Sequence, residues 1–200
     1  MTNVSCIVEG HGEVAAVPVL LRRIAAWRSP NSILDVQVPI RVSRDRFLNR
    51  EDQFSRFLQL AGSKCGDDGW VLVLLDADDD CPAVLGPQIL ARARDVLPHR
   101  SISVVLANRE YEAWFLGAAE SLNAYRGLTI DVVDLGIDPE LPRDAKGWLG
   151  HRMASGTYGP TTDQPAFSAR MDLLQAHNRC RSFRKLCSEW GQQFLPADDL

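Results

Sequence analysis

Residues 70–80 read WVLVLLDADDD, an unbroken apolar run from Trp70 to Leu75 that stops abruptly at Asp76-Ala77-Asp78-Asp79-Asp80. Such a run leaves no solvated face, so it suits a strand covered on both sides at the centre of a parallel sheet. Its acidic end then marks the sheet edge along which open α/β folds build their crevice. Working outward, Val4–Val8 is a shorter apolar run that breaks into Gly10-His11-Gly12 before a helical pattern through Val14, Val17, Leu20, Leu21 and Ile24. Asp35–Val42 alternates as a second strand, and Glu51–Leu60 puts Phe54, Phe57 and Leu58 on one helical face. Pro82 fits the first turn of a helix reaching about Leu97, Ile102–Leu106 is a fourth strand, and Glu110–Ala119 continues as helix. Strands alternating with helices predict an α/β domain, a parallel sheet with helices on both faces, over residues 1–120.

Residues 121–200 are loop-rich, with Pro139, Pro142, Gly147, Gly150, Gly156, Gly159, Pro160 and Pro165, and helices are expected near Ala166–His177 and Ser182–Gln193. They form a C-terminal extension of the core or a small helical subdomain. No apolar run approaches the roughly 20 residues that span a bilayer, and Met1–Gly10 lacks a basic start, so a cytoplasmic protein is expected. The five scattered cysteines lack the spacing of a zinc site and read as reduced packing residues. With 22 basic and 26 acidic side chains the net charge is -4, which argues against coating a duplex through an overall positive field. Any nucleic acid contact must be local, metal-assisted or shared with a partner.

If the first and third strands are neighbours, Glu9 and Asp76 meet at one sheet edge. Alternate residues of an extended segment point the same way, so Asp78 is expected to aim with Asp76 while Ala77 faces away. Glu13 falls at the start of the first helix, where negative charge is favoured. Carboxylates about 4 Å apart repel by roughly 4 kcal/mol per pair at an effective dielectric near 20, so a cation should compensate. Mg²⁺ or Mn²⁺ suits an all-oxygen set without thiolate or imidazole pairs, and two such ions would suit phosphodiester hydrolysis. Acids at strand ends also serve as plain helix caps, and an acidic run is often a solvated loop.

Glu9 with Asp76-x-Asp78 resembles the Toprim domain, and the turn VEGHGE (8–13), with Glu13, is similar to the Toprim nucleases of the overcoming-lysogenisation-defect type. LANREYEAWFL (106–116) with SFRKL (182–186) resembles a family of short bacterial proteins catalogued as domain of unknown function 4276. The resemblance implies a Toprim-like, metal-dependent endonuclease. Glu9, Glu13, Asp76, Asp78, Glu110 and Glu112 would be its metal ligands, with Lys146 near the scissile phosphate. Where the nucleases have a small hydroxyl residue before the later glutamate, Asn108 stands two residues before Glu110, and it can offer only an amide oxygen. The resemblance further implies an ABC-type or AAA-type ATPase partner in a bacterial antiviral defence system, and a homo-oligomer is compatible with it.

Other features have plainer readings beside functional ones. His11 suits local hydrogen bonding, and Arg41, Arg44, Arg46 and Arg50 suit a solvated face or phosphate contacts. Arg179, Arg181, Arg184 and Lys185 form a basic patch near Phe183 and Trp190, whereas Trp114 and Phe115 read as core. Two rivals stand against the nuclease. One is a non-catalytic scaffold bound to an ATPase. The other is a dinucleotide-binding protein built on Gly10-x-Gly12-x-x-Ala15, in which Glu9 would face the pyrophosphate unfavourably. No GxxxxGK[ST] pattern occurs, so ATP-driven work would need another chain.

Overall fold

The computed structural model describes residues 2–194. Five parallel strands form one sheet: β1 (Thr2–Val8), β2 (Leu34–Val36), β3 (Ile40–Arg41), β4 (Trp70–Asp76) and β5 (Ser101–Ala107). The order is β2-β1-β4-β5, with β3 also on β1, so the two apolar runs β1 and β4 lie side by side at the centre. Every residue of β4 is buried because the strand packs on both faces. Trp70, Leu72 and Leu74 join one core, whereas Val71, Val73 and Leu75 join the other.

Helices α2 (Arg44–Asn49), α3 (Glu51–Cys65) and α4 (Pro82–Val96) cover the second of these faces through Phe47, Phe54, Leu58 and Ile89. The first face carries α1 (His11–Arg28), α5 (Ala113–Gly117) and α6 (Ala119–Leu122). After α7 (Val132–Leu135), α8 (Ala145–Arg152), α9 (Pro160–Arg170), α10 (Leu173–Arg179) and α11 (Arg181–Phe194) complete that side. Phe167, Met171, Cys180, Phe183 and Trp190 thus share one apolar core with Val4, Leu20 and Leu72. Trp190 meets Trp70 edge to face, with ring centroids 6.0 Å apart.

Four local expectations are corrected. The single strand over Asp35–Val42 is two short strands, because Pro39 has no N–H to give the ladder. Register moves by one residue across the break, from Val4 opposite Val36 to Ile7 opposite Ile40. The helix over Glu110–Ala119 starts only at Ala113, since the Tyr111 N–H donates to Asp76 Oδ1 at 2.8 Å. The helix over Ala166–His177 divides into α9 and α10 where Asp172 accepts from Leu174 N and Gln175 N, capping the second piece. Finally, β4 does not extend through Asp78, which turns into the left-handed region with φ 50°.

Candidate functional site

Adjacency of β1, β4 and β5 brings their carboxyl ends together. Glu9 follows β1, Asp76 ends β4, and Glu110 and Glu112 follow β5. With Glu13, Asp78 and Lys146 they line one cleft of about 220 Å³. All six acids singled out in the sequence therefore reach the same cleft, although not in equivalent ways.

Asp76, Glu110 and Glu112 surround the Lys146 ammonium. Nζ lies 3.4 Å from Asp76 Oδ2, 3.1 Å from Glu110 Oε1 and 3.2 Å from Glu112 Oε2. Lys146 reaches them from the first turn of α8, which Asp144 caps by accepting from Gly147 N at 2.7 Å. Its own main-chain N–H donates to Glu110 Oε2 at 3.1 Å, so Glu110 fixes both ends of the residue. Glu112 is fully buried and receives the Tyr158 hydroxyl on Oε1 at 3.1 Å. Its Oε2 has the ammonium nearby but no aligned hydrogen bond, and Glu9 Oε2 is likewise buried without a partner.

Glu13 is buried at the start of α1 and accepts from the Glu9 N–H at 3.1 Å. A side chain on Gly10 would press on it, since a Cβ there would lie 2.8 Å from Glu13 Oε1. Asp78 belongs to the outer lip. It is exposed, and Arg44 approaches it at 3.6 Å while also pairing with Asp80. The alternation that was to aim Asp78 with Asp76 fails because the chain has already turned.

The electrostatics follow from this crowding. Burial, and then the charges of Asp76 and Asp78, push the Glu9 carboxyl up to about 7. Burial and Asp76 push Glu13 up to about 8. Burial likewise lifts Glu112 to about 7 and Asp76 to about 6, with Lys146 pulling against the rise in both. For Lys146, burial disfavours the ammonium, but Glu112, Asp76 and Glu110 outweigh it and hold its pKa above the ordinary lysine value.

As the side chains stand, no three His, Cys, Asp or Glu residues among the described ones are arranged to hold a metal ion. The lysine ammonium occupies the place where three carboxylates meet. The donor set nevertheless fits a hard divalent cation: it is all oxygen, it is desolvated, and it keeps buried oxygens on Glu9 and Glu112 without hydrogen bonds.

Several contributors escaped the sequence reading. Tyr158, Pro160 and Gln164 come from the loop-rich stretch and its following helix. Arg44 was visible only as one of four neighbouring arginines, and nothing local marked it as the one that turns inward. Asn108 lines a different cavity and donates weakly to Glu140 at 3.5 Å. Gly12 owes its place to packing. A Cβ there would lie 2.3 Å from the Pro160 carbonyl oxygen and 2.1 Å from Gln164 Oε1. α9 is thus seated on the side of that turn where the Gly12 Cβ would point. Arg179 is a structural tie, donating to the carbonyls of Leu135 at 2.8 Å and Ile137 at 2.6 Å. Arg184 likewise donates to the carbonyls of His177 and Asn178, and Lys185 pairs with Glu189, so of the basic patch Arg181 has no such partner among the described residues.

Residues 8–189 match the family model described as Domain of unknown function (DUF4276). The chain belongs to that family. No curated protein and no solved structure matches it. Every residue of the acidic cleft lies inside the DUF4276 span, as do α8 and α9, which supply Lys146 and close over Gly12.

Proposed function

We propose that this DUF4276 protein is a Toprim-like, divalent-metal-dependent phosphodiesterase acting on DNA or RNA. The observation that carries the reading is the set of buried, incompletely bonded carboxylates at the carboxyl ends of three adjacent parallel strands. Asp76, Glu110, Glu112 and Glu9 would hold Mg²⁺ or Mn²⁺, with Glu13 behind them and Asp78 at the entrance. When bound, such ions supply a Lewis acid and an activated water. Glu9, which keeps a buried oxygen without a hydrogen bond at the cleft, is suited to receive a proton. Lys146, once displaced from the carboxylates, has the reach and charge to hold a phosphate oxygen. Lacking a Walker A loop, the chain would take any ATP-driven step from an ATPase partner, and that companion is part of the same proposal.

One observation favours a second reading, a non-catalytic subunit that binds a partner: Lys146 already neutralises part of the acidic set without any ion. Mn²⁺ titration calorimetry, with cleavage of plasmid, single-stranded DNA and tRNA, separates the two. The enzyme reading expects Mn²⁺ binding that Asp76→Ala abolishes, and cleavage that Glu9→Gln loses while keeping the fold. Absence of Mn²⁺ binding by the wild type, at millimolar metal and pH 8, selects the scaffold.

A further inference from the structure

A larger cavity of about 730 Å³ lies outside the acidic cleft, along the outer side of β5. Among the described residues β5 is an edge strand, paired only with β4. Ala107 O accepts from Ala77 N, so the main-chain groups of Ser103, Val105 and Ala107 face β4. Those of Ile102, Val104 and Leu106 point outward, where no other element bonds them among the described residues. Exposure follows the same alternation: Ile102, Val104 and Leu106 keep 7%, 5% and 3%, whereas Ser103, Val105 and Ala107 keep 0%. Such an unpaired row is a template for one more strand.

The walls of the groove differ in chemistry. On one sheet face α4 presents Pro82, Pro87 and Leu90, with Gly86 leaving open space above the helix. Pro87 also has no N–H for the Ala83 carbonyl, which lines the groove and lacks its usual helical donor. On the other face α11 presents Arg181 and Lys185, of which Lys185 pairs with Glu189 along its own helix. Asp79 and Asp80 stand at one end of the groove, but Arg109, Arg143 and Arg44 already pair with them. Arg181 has no acidic partner among the described residues.

We propose that the β5 edge is a docking groove for an extended segment of a partner protein, added as a sixth strand. In a strand successive side chains point to opposite faces, so one set would lie on α4 and the other on α11. The fitting segment alternates apolar and acidic residues. The proposal is independent of chemistry in the acidic cleft, which lies beyond the carboxyl ends of β1, β4 and β5 and shares no lining residue with the groove.

The test pans a phage-displayed octapeptide library on the full-length protein, with counter-selection on Gly86→Trp. Gly86 lines the groove and a Cβ there meets nothing within 4 Å, so the larger side chain is directed into the groove, and a thermal melt checks that the variant folds. Selected peptides should alternate apolar and acidic residues. Their affinity should fall at least tenfold in Gly86→Trp and in the surface variant Arg181→Glu, and stay unchanged in Asp76→Ala. Bound peptide should slow amide exchange at Val104 and Leu106. A library that yields no binder sensitive to Gly86→Trp overturns the proposal. Displacement of the peptides by a single-stranded oligonucleotide that itself needs Gly86 and Arg181 also overturns it, and assigns the groove to nucleic acid.

Discussion

Lys146 holds two incompatible positions in the proposed chemistry, since a cation on Asp76, Glu110 and Glu112 must first displace the ammonium already there. Lys146→Met should therefore bind Mn²⁺ more tightly at pH 8, by roughly tenfold, because one unit charge within about 4 Å is removed. The metal-free variant should also melt below the wild type, its buried carboxylates having lost their counter-charge. Calorimetry against Mn²⁺ and thermal melts in EDTA check both statements; equal affinity in the two proteins would show that the lysine and the ion use different oxygens. Cleavage should be lost even as affinity rises, which separates the phosphate role from ligand competition. Much of this residue set was legible: Glu9, Asp76 and Asp78 stand at the ends of apolar runs that a reader can see. The partnership of Glu112 with Tyr158 was not, because a hydrogen bond between residues 46 apart in sequence leaves no local pattern. Nor was the turn at Asp78, whose left-handed backbone breaks the alternation that extended geometry would impose.

Among the elements, α9 decides the form of the first turn of α1. Gly12→Ala places a methyl against the Pro160 carbonyl and Gln164, so it should cost about 1–3 kcal/mol by overpacking and part the two helices. Urea denaturation measures the loss, and a second-site Gln164→Ala, which frees only the side-chain contact, should recover part of it. If Gly12→Ala were neutral while cleavage vanished, the glycine would serve a ligand and not the packing. Trp190→Ala should cost about 3–5 kcal/mol, since the indole is fully buried, edge to face with Trp70. Helices α1, α3 and α4 could be drawn from periodicity, since α3 and α4 pack on strands close to them in sequence and α1 keeps one apolar row in the core, whereas the short α2 was read only as a cluster of arginines. The helices after Leu122 are short and cut by caps such as Asp144 and Asp172. Their apolar residues serve a core assembled from distant strands, so pattern alone fused α9 with α10. Pro39 did carry its warning in the sequence, and the alternation around it concealed the break.

For the whole molecule, the raised carboxyls make stability a function of pH and cation together. Glu13, Glu112 and Glu9 rise from 4.5 to about 8, 7 and 7, and Asp76 rises from 3.8 to about 6, so between pH 4.5 and 8 the folded state holds more protons than the unfolded one. Stability must then fall as pH rises through that window. Discounting the half-buried Glu9 and the coupling among the rest, a loss on the order of 2 kcal/mol, or about 5 °C in Tm, is expected from pH 5.5 to 8.5 in EDTA. Saturating Mn²⁺ should flatten the slope and release protons on binding, as differential scanning calorimetry and titrations in buffers of different ionisation enthalpy would register. A Tm that climbs with pH in EDTA would mean that the acids are ionised in the apo fold. The same layout has a bearing on synthesis. Lys146 meets Asp76 across 70 residues of chain, and Tyr158 and α9 come later still. While the ribosome is releasing the strands, the acids at their ends therefore stand without the Lys146 ammonium, and Arg44 beside Asp78 is a cation that their own half supplies. The lysine's late arrival makes closure of the cleft a late step of folding, and a divalent cation held by the earlier acids would compete with that step, as refolding rates with and without Mg²⁺ would show.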